Sequence, residues 1–328
     1  MKHLSILIPD DQTTMSTIAC IIGSYQVFMA ANAYYEKLGK MPVFSINLVS
    51  ATNEKLLTNG FLSIKSNLSI TECSASDLII IPATLIRTYD TATANNKLLI
   101  DWVKDKYKEG TEVASMCAGS FMLASTGLLS GMTCSAHWAN AQEFKALFPD
   151  VDLQTDKLIT DKNGIYTNGG AYSFLHLLMY LVEKFYDRQT AIYCAKYFQV
   201  DLDRNKQSEF LIFSGHKNHN DTIILEAQHY MENNYQDKIS FEDLAFKFGV
   251  SRRNFDRRFI KATALRPLDY LQRLKMEAAK KAFENSRKSV NEVMYEVGYN
   301  DTKAFREVFS RITGASPIDY KEKYNSGN

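Results

Sequence analysis

Ser251-Arg252-Arg253-Asn254-Phe255-Asp256-Arg257-Arg258-Phe259 decides the reading of this chain, because a related stretch follows 50 residues later. The second copy is Asp301-Thr302-Lys303-Ala304-Phe305-Arg306-Glu307-Val308-Phe309. The match spreads outward. Upstream, Leu244 and Gly249 stand 49 residues before Val293 and Gly298; downstream, Pro267 and Tyr270 stand 50 before Pro317 and Tyr320. One residue is therefore inserted at the turn. Each copy reads as a helix, a glycine-bearing turn and a second helix, the form of a helix-turn-helix unit. Two such units in one chain point to DNA as the partner.

In such a unit the second helix enters the major groove while the first packs across it. Helical spacing buries Phe255 and Phe259, four apart, and turns Arg252, Arg253, Asn254, Asp256 and Arg257 outward. Arginine can fork to guanine O6 and N7, asparagine to adenine, and aspartate can accept from cytosine. Arg258 and Lys261 are expected on phosphates, which position the protein without reading sequence. In the second copy Phe305 and Phe309 form the buried pair, and Thr302, Lys303, Arg306 and Glu307 face the groove. Tyr270–Asn285 reads as a long basic helix between the units, holding two recognition helices for successive grooves about 34 Å apart. Some bending of the duplex is expected.

The charge is placed to suit. Over 328 residues the net charge is only +1, yet residues 251–288 hold 12 Lys and Arg against 4 Asp and Glu. Residues 1–200 hold 16 against 18. A local basic concentration is what counterion release from phosphates requires. An ordinary apolar content of 45% excludes wholesale disorder. Five scattered cysteines show no metal-ligand spacing and imply neither a zinc site nor a disulfide framework. No stretch is long enough for a membrane helix, and the N-terminal apolar run is too short for a signal peptide. No cofactor is implied, and a cytoplasmic location is expected.

Residues 3–200 alternate apolar β-rich runs with helical patterns. Leu4–Ile8, Val43–Val49, Leu78–Ile81 and Glu112–Met116 read as strands, with Val151–Leu153 and Gly164–Thr167 as further ones. The helical patterns are Thr17–Leu38, Asn95–Glu109, Gly119–Thr126, Ala139–Leu147 and Ala171–Phe185. Strand alternating with helix predicts a flavodoxin-like α/β domain, a doubly wound parallel sheet, ahead of an all-α domain. The expected division is 1–200, a linker over 201–221, and 222–328. Within the linker, Phe210–Phe213 should dock on a domain, while His216 and His219, three apart, read as solvated.

Cys117 follows a strand and opens a small-residue turn into a helix, where a helix N-terminus favours a thiolate. His137 lies twenty residues on, a candidate base. Three readings of Cys117 stand open: a pocket-lining residue, an oxidisable sensor, or a nucleophile. His137 is equally a base or a pocket wall.

Residues from about 222 to 325 resemble the AraC/XylS-type DNA-binding domain, on Gly298-Tyr299-Asn300-Asp301, Phe305, Phe309 and Thr313-Gly314-Ala315-Ser316-Pro317. The first copy departs from that pattern with Ala264 and Arg266. Residues 3–190 resemble the class I glutamine amidotransferase-like superfamily, in its PfpI branch, on Cys117-Ala118-Gly119, Gly127-Leu128-Leu129, His137-Trp138 and Thr167-Asn168-Gly169-Gly170-Ala171. The resemblance implies an elbow cysteine assisted by histidine and an acid. Here Gln26 stands for the expected glutamate and Cys20 for the earlier acid; Asp10 and Asp11 are the nearby carboxylates. It implies a regulator that binds double-stranded promoter DNA, often as a homodimer. The N-terminal domain would sense a small molecule through Cys117, Ala118, His137, Gly169 and Gly170. The alternatives are a cysteine hydrolase or amidase with an accessory DNA domain, and a protein-protein adaptor.

Overall fold

The computed structural model describes residues 1–9, 13–51, 54–57, 62–84, 96–202 and 207–325. It divides into two units, Met1–Gln207 and Ser208–Asn328.

The first unit is an open sheet with helices on both faces. Its strands are β1 (Lys2–Leu7), β2 (Phe44–Ser50), β5 (Leu68–Ser69), β6 (Leu78–Ile81), β7 (Glu112–Met116), β10 (Ile159–Lys162) and β11 (Ile165–Asn168). Their spatial order is β10-β11-β7-β6-β1-β2-β5. Every neighbouring pair is parallel except β10 with β11. Leu4, Ile6, Leu78, Ile79, Ile80, Ile81, Val113 and Ala114 are fully enclosed, as continuous apolar strands of a two-sided sheet should be. Two-stranded pieces, β3 (Glu54–Leu57) with β4 (Leu62–Lys65) and β8 (Thr133–Cys134) with β9 (Asp152–Leu153), lie apart from it. The run expected over Val151–Leu153 thus belongs to a small separate ladder.

The antiparallel edge departs from an all-parallel sheet for a local reason. Asn163 and Gly164 both have positive φ, +54° and +72°, and Lys162 pairs directly with Ile165. That is the two-residue hairpin turn for which Asn-Gly is the preferred pair. The helices are α1 (Met15–Lys37), α2 (Lys97–Lys108), α3 (Gly119–Ser125), α4 (Ala141–Leu147), α5 (Phe174–Phe185) and α6 (Arg188–Phe198). The last was not anticipated. Tyr186 ends α5, and Asp187 caps α6, its carboxylate accepting from Thr190 N at 2.8 Å.

The second unit is helical: α7 (Thr222–Asn233), α8 (Phe241–Lys247), α9 (Arg252–Thr263), α10 (Pro267–Asn285), α11 (Val290–Glu296), α12 (Thr302–Thr313) and α13 (Pro317–Tyr324). The chain caps them as it goes. Asp221, Ser240, Ser251, Ser289, Asp301 and Ser316 each accept from the backbone N–H three residues on. Two cores form, one around Phe255, Phe259 and Tyr270, the other around Phe305, Phe309 and Tyr320, with Tyr235 touching both. Edge-to-face contacts repeat: Phe259 with Tyr270 at 5.2 Å, Phe309 with Tyr320 at 5.6 Å.

Residues 208–219 belong to this unit and are not free. The Phe213 ring packs on Tyr270 at 5.1 Å, and the buried Lys280 ammonium donates to Leu211 O at 2.5 Å. His216 Nδ1 pairs with Thr263 O at 2.7 Å and His219 Nε2 with Gln228 Oε1 at 3.0 Å. The two histidines are therefore partly buried anchors, correcting the expectation of a solvated stretch. They satisfy polar groups that burial would otherwise leave unpaired.

Candidate functional site

The two recognition helices are α9 and α12. In α9, Phe255 and Phe259 are fully buried, and Arg253, Arg257 and Lys261, at intervals of four, are exposed on the opposite side. Arg257 donates to Asn254 Oδ1 at 3.1 Å, tying two residues expected at the base edges. Arg252 is only half available: its guanidinium meets Asp256 at 3.0 Å and Glu242 of α8 at 2.9 Å. Asp256 is thereby held as the partner of Arg252. In α12, Lys303, Arg306 and Glu307 are exposed, Thr302 is partly covered, and Phe305 and Phe309 fill the core.

Not all of the basic concentration reaches the surface. Arg258, expected on a phosphate, forks onto Asp221 with contacts of 2.8 and 2.6 Å. The Arg258 guanidinium holds the Asp221 carboxyl below its ordinary range. Lys275 and Lys280 are buried. Lys275 donates to Gly298 O at 3.3 Å and lies over the Tyr299 ring, and burial pulls its pKa down. Part of the positive charge counted in 251–288 thus serves to build the unit.

The turns of the two copies differ. Gly249 and Gly298 both adopt positive φ, +66° and +74°. A Cβ on Gly249 would meet nothing within 4 Å, whereas one on Gly298 would lie 1.9 Å from Gln236 O. At the helix ends Gly314 caps α12 at φ +81°, and Ala264 adopts the same left-handed state, +57°, at the end of α9. The departure noted in the sequence keeps the geometry and accepts the strain.

In the first unit the residues singled out gather at the carboxyl ends of β7 and β11. Cys117 closes β7 with φ +53°, a left-handed state for a non-glycine residue. Its N–H donates to Asn168 O at 2.9 Å, which seats it beside the end of β11. Gly119, at the start of α3, is forced by close approach: a Cβ there would lie 2.5 Å from Pro82 O. Gly169 comes against Ala136 O, the carbonyl just before His137, and Gly170 takes φ +91° beside Ser173. The chain thus brings Cys117, Ala118, Gly169, Gly170 and the 135–137 segment to one end of the sheet, where open α/β folds place ligands.

The chemistry of that end differs from the elbow expectation. Cys117 is 7% exposed, and burial pushes its thiol up to about 11, outweighing the Ala118 N–H that favours the thiolate. Desolvation overrides the helix end. Cys20, on the inner face of α1, is pushed up to about 12, mainly by burial and also by the neighbouring Cys117. Gln26 lies exposed on α1. Asp10 and Asp11 fall outside the described residues. His137 is partly buried, which lowers its pKa, and its Nδ1 accepts from Ala139 N at 3.1 Å to cap a single turn. Among the described residues no hydrogen bond joins the Cys117 sulfur to His137. No group of three His, Cys, Asp or Glu there could hold a metal, and all five cysteines are free.

One residue here escaped the sequence reading. Gln207, 1% exposed, donates from Nε2 to Ala136 O and Lys157 O, both at 3.1 Å, and to Ser135 Oγ at 3.5 Å. It comes from a polar run with no periodicity to flag it.

Comparison with known proteins finds a match in each part of the chain. The DJ-1/PfpI family profile matches residues 35–184, and a helix-turn-helix domain profile matches residues 244–323. The HTH-type transcriptional regulator GbdR of Pseudomonas aeruginosa is 25% identical over 224 residues, 68% of this chain and 61% of that protein. The chain thus spans about three fifths of that relative's length. The HTH-type transcriptional regulator CdhR of the same species is 20% identical over 297 residues, 90% of this chain and 85% of its own length. A crystal structure of a putative transcriptional regulator from Vibrio parahaemolyticus superposes with a TM-score of 0.52 at 21% identity, covering 60% of this chain and 98% of that one. That similarity speaks to fold. No helix among the described residues is long and apolar enough to cross a membrane.

Proposed function

We infer that this chain, which joins a DJ-1/PfpI-family domain to an AraC-type helix-turn-helix domain, is a sequence-specific DNA-binding transcription regulator whose first domain senses a small molecule. The observation that carries the reading is the doubled helix-turn-helix unit, with Phe255–Phe259 and Phe305–Phe309 buried beneath exposed polar faces. We assign base reading to Arg253, Asn254 and Arg257 in α9 and to Thr302, Lys303, Arg306 and Glu307 in α12. Lys261 is assigned to phosphate. Arg252 and Asp256 act as a pair that orients the start of α9, and Arg258 holds that helix to Asp221.

The first domain would hold its effector at the β7 and β11 ends, lined by Cys117, Ala118, His137, Gly169 and Gly170. A thiol pushed up to about 11, a second cysteine beside it and a histidine already used as a cap support a binding pocket over a catalytic one. Dimerisation would raise the effective concentration of the DNA-binding halves on a two-part site. An effector regulates only by binding two conformations unequally.

Selection of binding sites from a random duplex pool, followed by footprinting, tests the reading. Arg253→Ala and Arg257→Ala should each relax base preference at one position by about 1–3 kcal/mol. Unchanged footprints for both would remove them as readers, and affinity without sequence preference would overturn the regulator assignment.

A further inference from the structure

Gln207 is the last residue of the first unit, and its side chain lies against Ala136, Gly169 and Gly170. Its Nε2 faces three acceptors and no donor: Ala136 O, Lys157 O and Ser135 Oγ. Ser135 Oγ itself donates to Lys157 O at 2.6 Å, which fixes the hydroxyl's lone pairs toward the amide. Gly169 is shaped around this group, since a Cβ there would fall 2.2 Å from Nε2 and 2.7 Å from the amide carbon. The other end of the amide is poorly served. Gln207 Oε1 is buried without a hydrogen-bond donor among the described residues, near Gly170. A buried acceptor left unpaired is a standing cost, so the side chain is held by one end only.

We propose that Ser135, Ala136 and Lys157 form a head-group cradle for a small primary carboxamide, and that Gln207 fills it as a tethered stand-in. The three acceptors belong to uncharged groups, which suits a neutral NH2 over an ammonium, because a buried cation needs a compensating charge. A free ligand that brings the same NH2, together with a better-placed carbonyl, displaces Gln207. The consequence reaches the next residue. Ser208 is buried within the second unit, its hydroxyl 2.6 Å from where a Cβ on Gly314 would stand at the end of α12. Two successive residues thus belong to two different cores, and the release of one alters the restraint on the other. This deepens the sensor reading above and rests on it.

The test uses the full chain and propionamide, the end of the glutamine side chain itself. Both tryptophans, Trp102 and Trp138, lie in the first unit, so their fluorescence follows its melting. Gln207→Ala should lower that transition by several degrees, of the order expected for lost contacts in a domain this size. Propionamide at tens of millimolar should restore at least half of the loss and leave the unmutated protein unmoved, by mass action on an emptied cradle. Adding Ser135→Ala should abolish the rescue. Gln207→Glu, which turns a carboxylate toward the acceptors, should behave as released, and serves if the alanine variant does not fold. In DNA binding, Gln207→Ala should shift affinity for the selected site at least fivefold, with propionamide leaving the shift in place. Equal response of both proteins to propionamide, or stronger rescue by ethylammonium, overturns the cradle. Rescue with unchanged DNA affinity overturns the tether. If no form of the chain prefers any DNA sequence, the regulator reading fails while the melting arm still decides the cradle.

Discussion

Alanine at Gly298 should be far more damaging than alanine at Gly249, although the two glycines hold equivalent turns of the repeat. Both have φ in the left-handed region, so each substitution carries backbone strain of about 1–2 kcal/mol. At Gly249 nothing lies within 4 Å of the new methyl, and the cost stops there. At Gly298 the methyl would sit 1.9 Å from Gln236 O, 2.8 Å from the carbon of that carbonyl and 2.8 Å from Lys275 Nζ. Two of the three atoms are backbone, so the turn must move away from the loop that follows α7. Forced repacking adds about 1–3 kcal/mol. Moving the Gly298 carbonyl away from the buried Lys275 ammonium adds roughly another 1–3 kcal/mol. The terms sum to about 3–8 kcal/mol at Gly298 against 1–2 at Gly249, and overlap between them places the loss toward the lower end of that range. Urea titration followed by far-UV circular dichroism reads the helices of both units, and fluorescence of Trp102 and Trp138 reads the first unit alone; the ellipticity change without a fluorescence counterpart belongs to the second unit, and the fluorescence transition should not shift. Equal losses for the two variants, or less than about 1.5 kcal/mol at Gly298, would refute the claim that Lys275, Gln236 and Gly298 lock the second turn.

Ala264→Gly should stabilise the helical unit by about 0.5–1 kcal/mol, because glycine relieves the φ of +57°, as a shift in urea midpoint would record; destabilisation would contradict that strain. Cys117 should alkylate with iodoacetamide slowly at pH 7, the rate climbing toward pH 11 as the buried thiol ionises; rapid labelling at neutral pH would restore the reactive reading. Asp221 has its folded pKa lowered by Arg258, so its contribution is present above the unfolded carboxylate value of about 3.9 and lost as pH falls toward the folded one. Asp221→Asn should keep the helix cap but flatten that acid limb of a stability-pH curve, and an unaltered limb would show the pair to be idle.

Most of the architecture could be read from local chemistry. The strands Leu78–Ile81 and Glu112–Met116 are apolar runs bounded by turns, and they stand where expected. The doubled unit was legible because Phe255, Phe259, Phe305 and Phe309 repeat at helical spacing, and each copy opens on a side-chain cap. The missed elements had weaker or overlooked signals. Asn163-Gly164 between Ile159 and Asn168 was a readable hairpin signature, while β5 is only two residues long. Arg188–Phe198 hid behind Tyr186-Asp187, whose break in the pattern is a cap. At the candidate pocket, the sequence located Cys117, Gly169 and His137 but not the environment that sets their chemistry. Burial of the Cys117 thiol comes from the fold around it, and sequence spacing carries no desolvation. Gln207 was illegible for the same reason: a polar residue in a polar run gains meaning only from the three acceptors it meets.

The two helix-turn-helix copies, alike in sequence pattern, are built to different tolerances. The second has a capping box at Ser289 and Glu292, a crowded Gly298, a glycine end-cap and a buried lysine braced on its turn. The first has an open Gly249, a strained Ala264 and an arginine-rich recognition helix whose Arg252 and Arg258 are bound to Asp256, Glu242 and Asp221. Charge is concentrated in the looser copy and rigidity in the tighter one. Phosphate attraction acts over about a Debye length and tolerates small displacements, whereas base reading needs fixed donors and acceptors. The first copy therefore adds attraction to its base reading, and the second fixes the register. It follows that exchanging Gly298 for alanine should cost sequence preference before it costs affinity at low salt, and that removing Lys261, assigned to phosphate, should do the reverse.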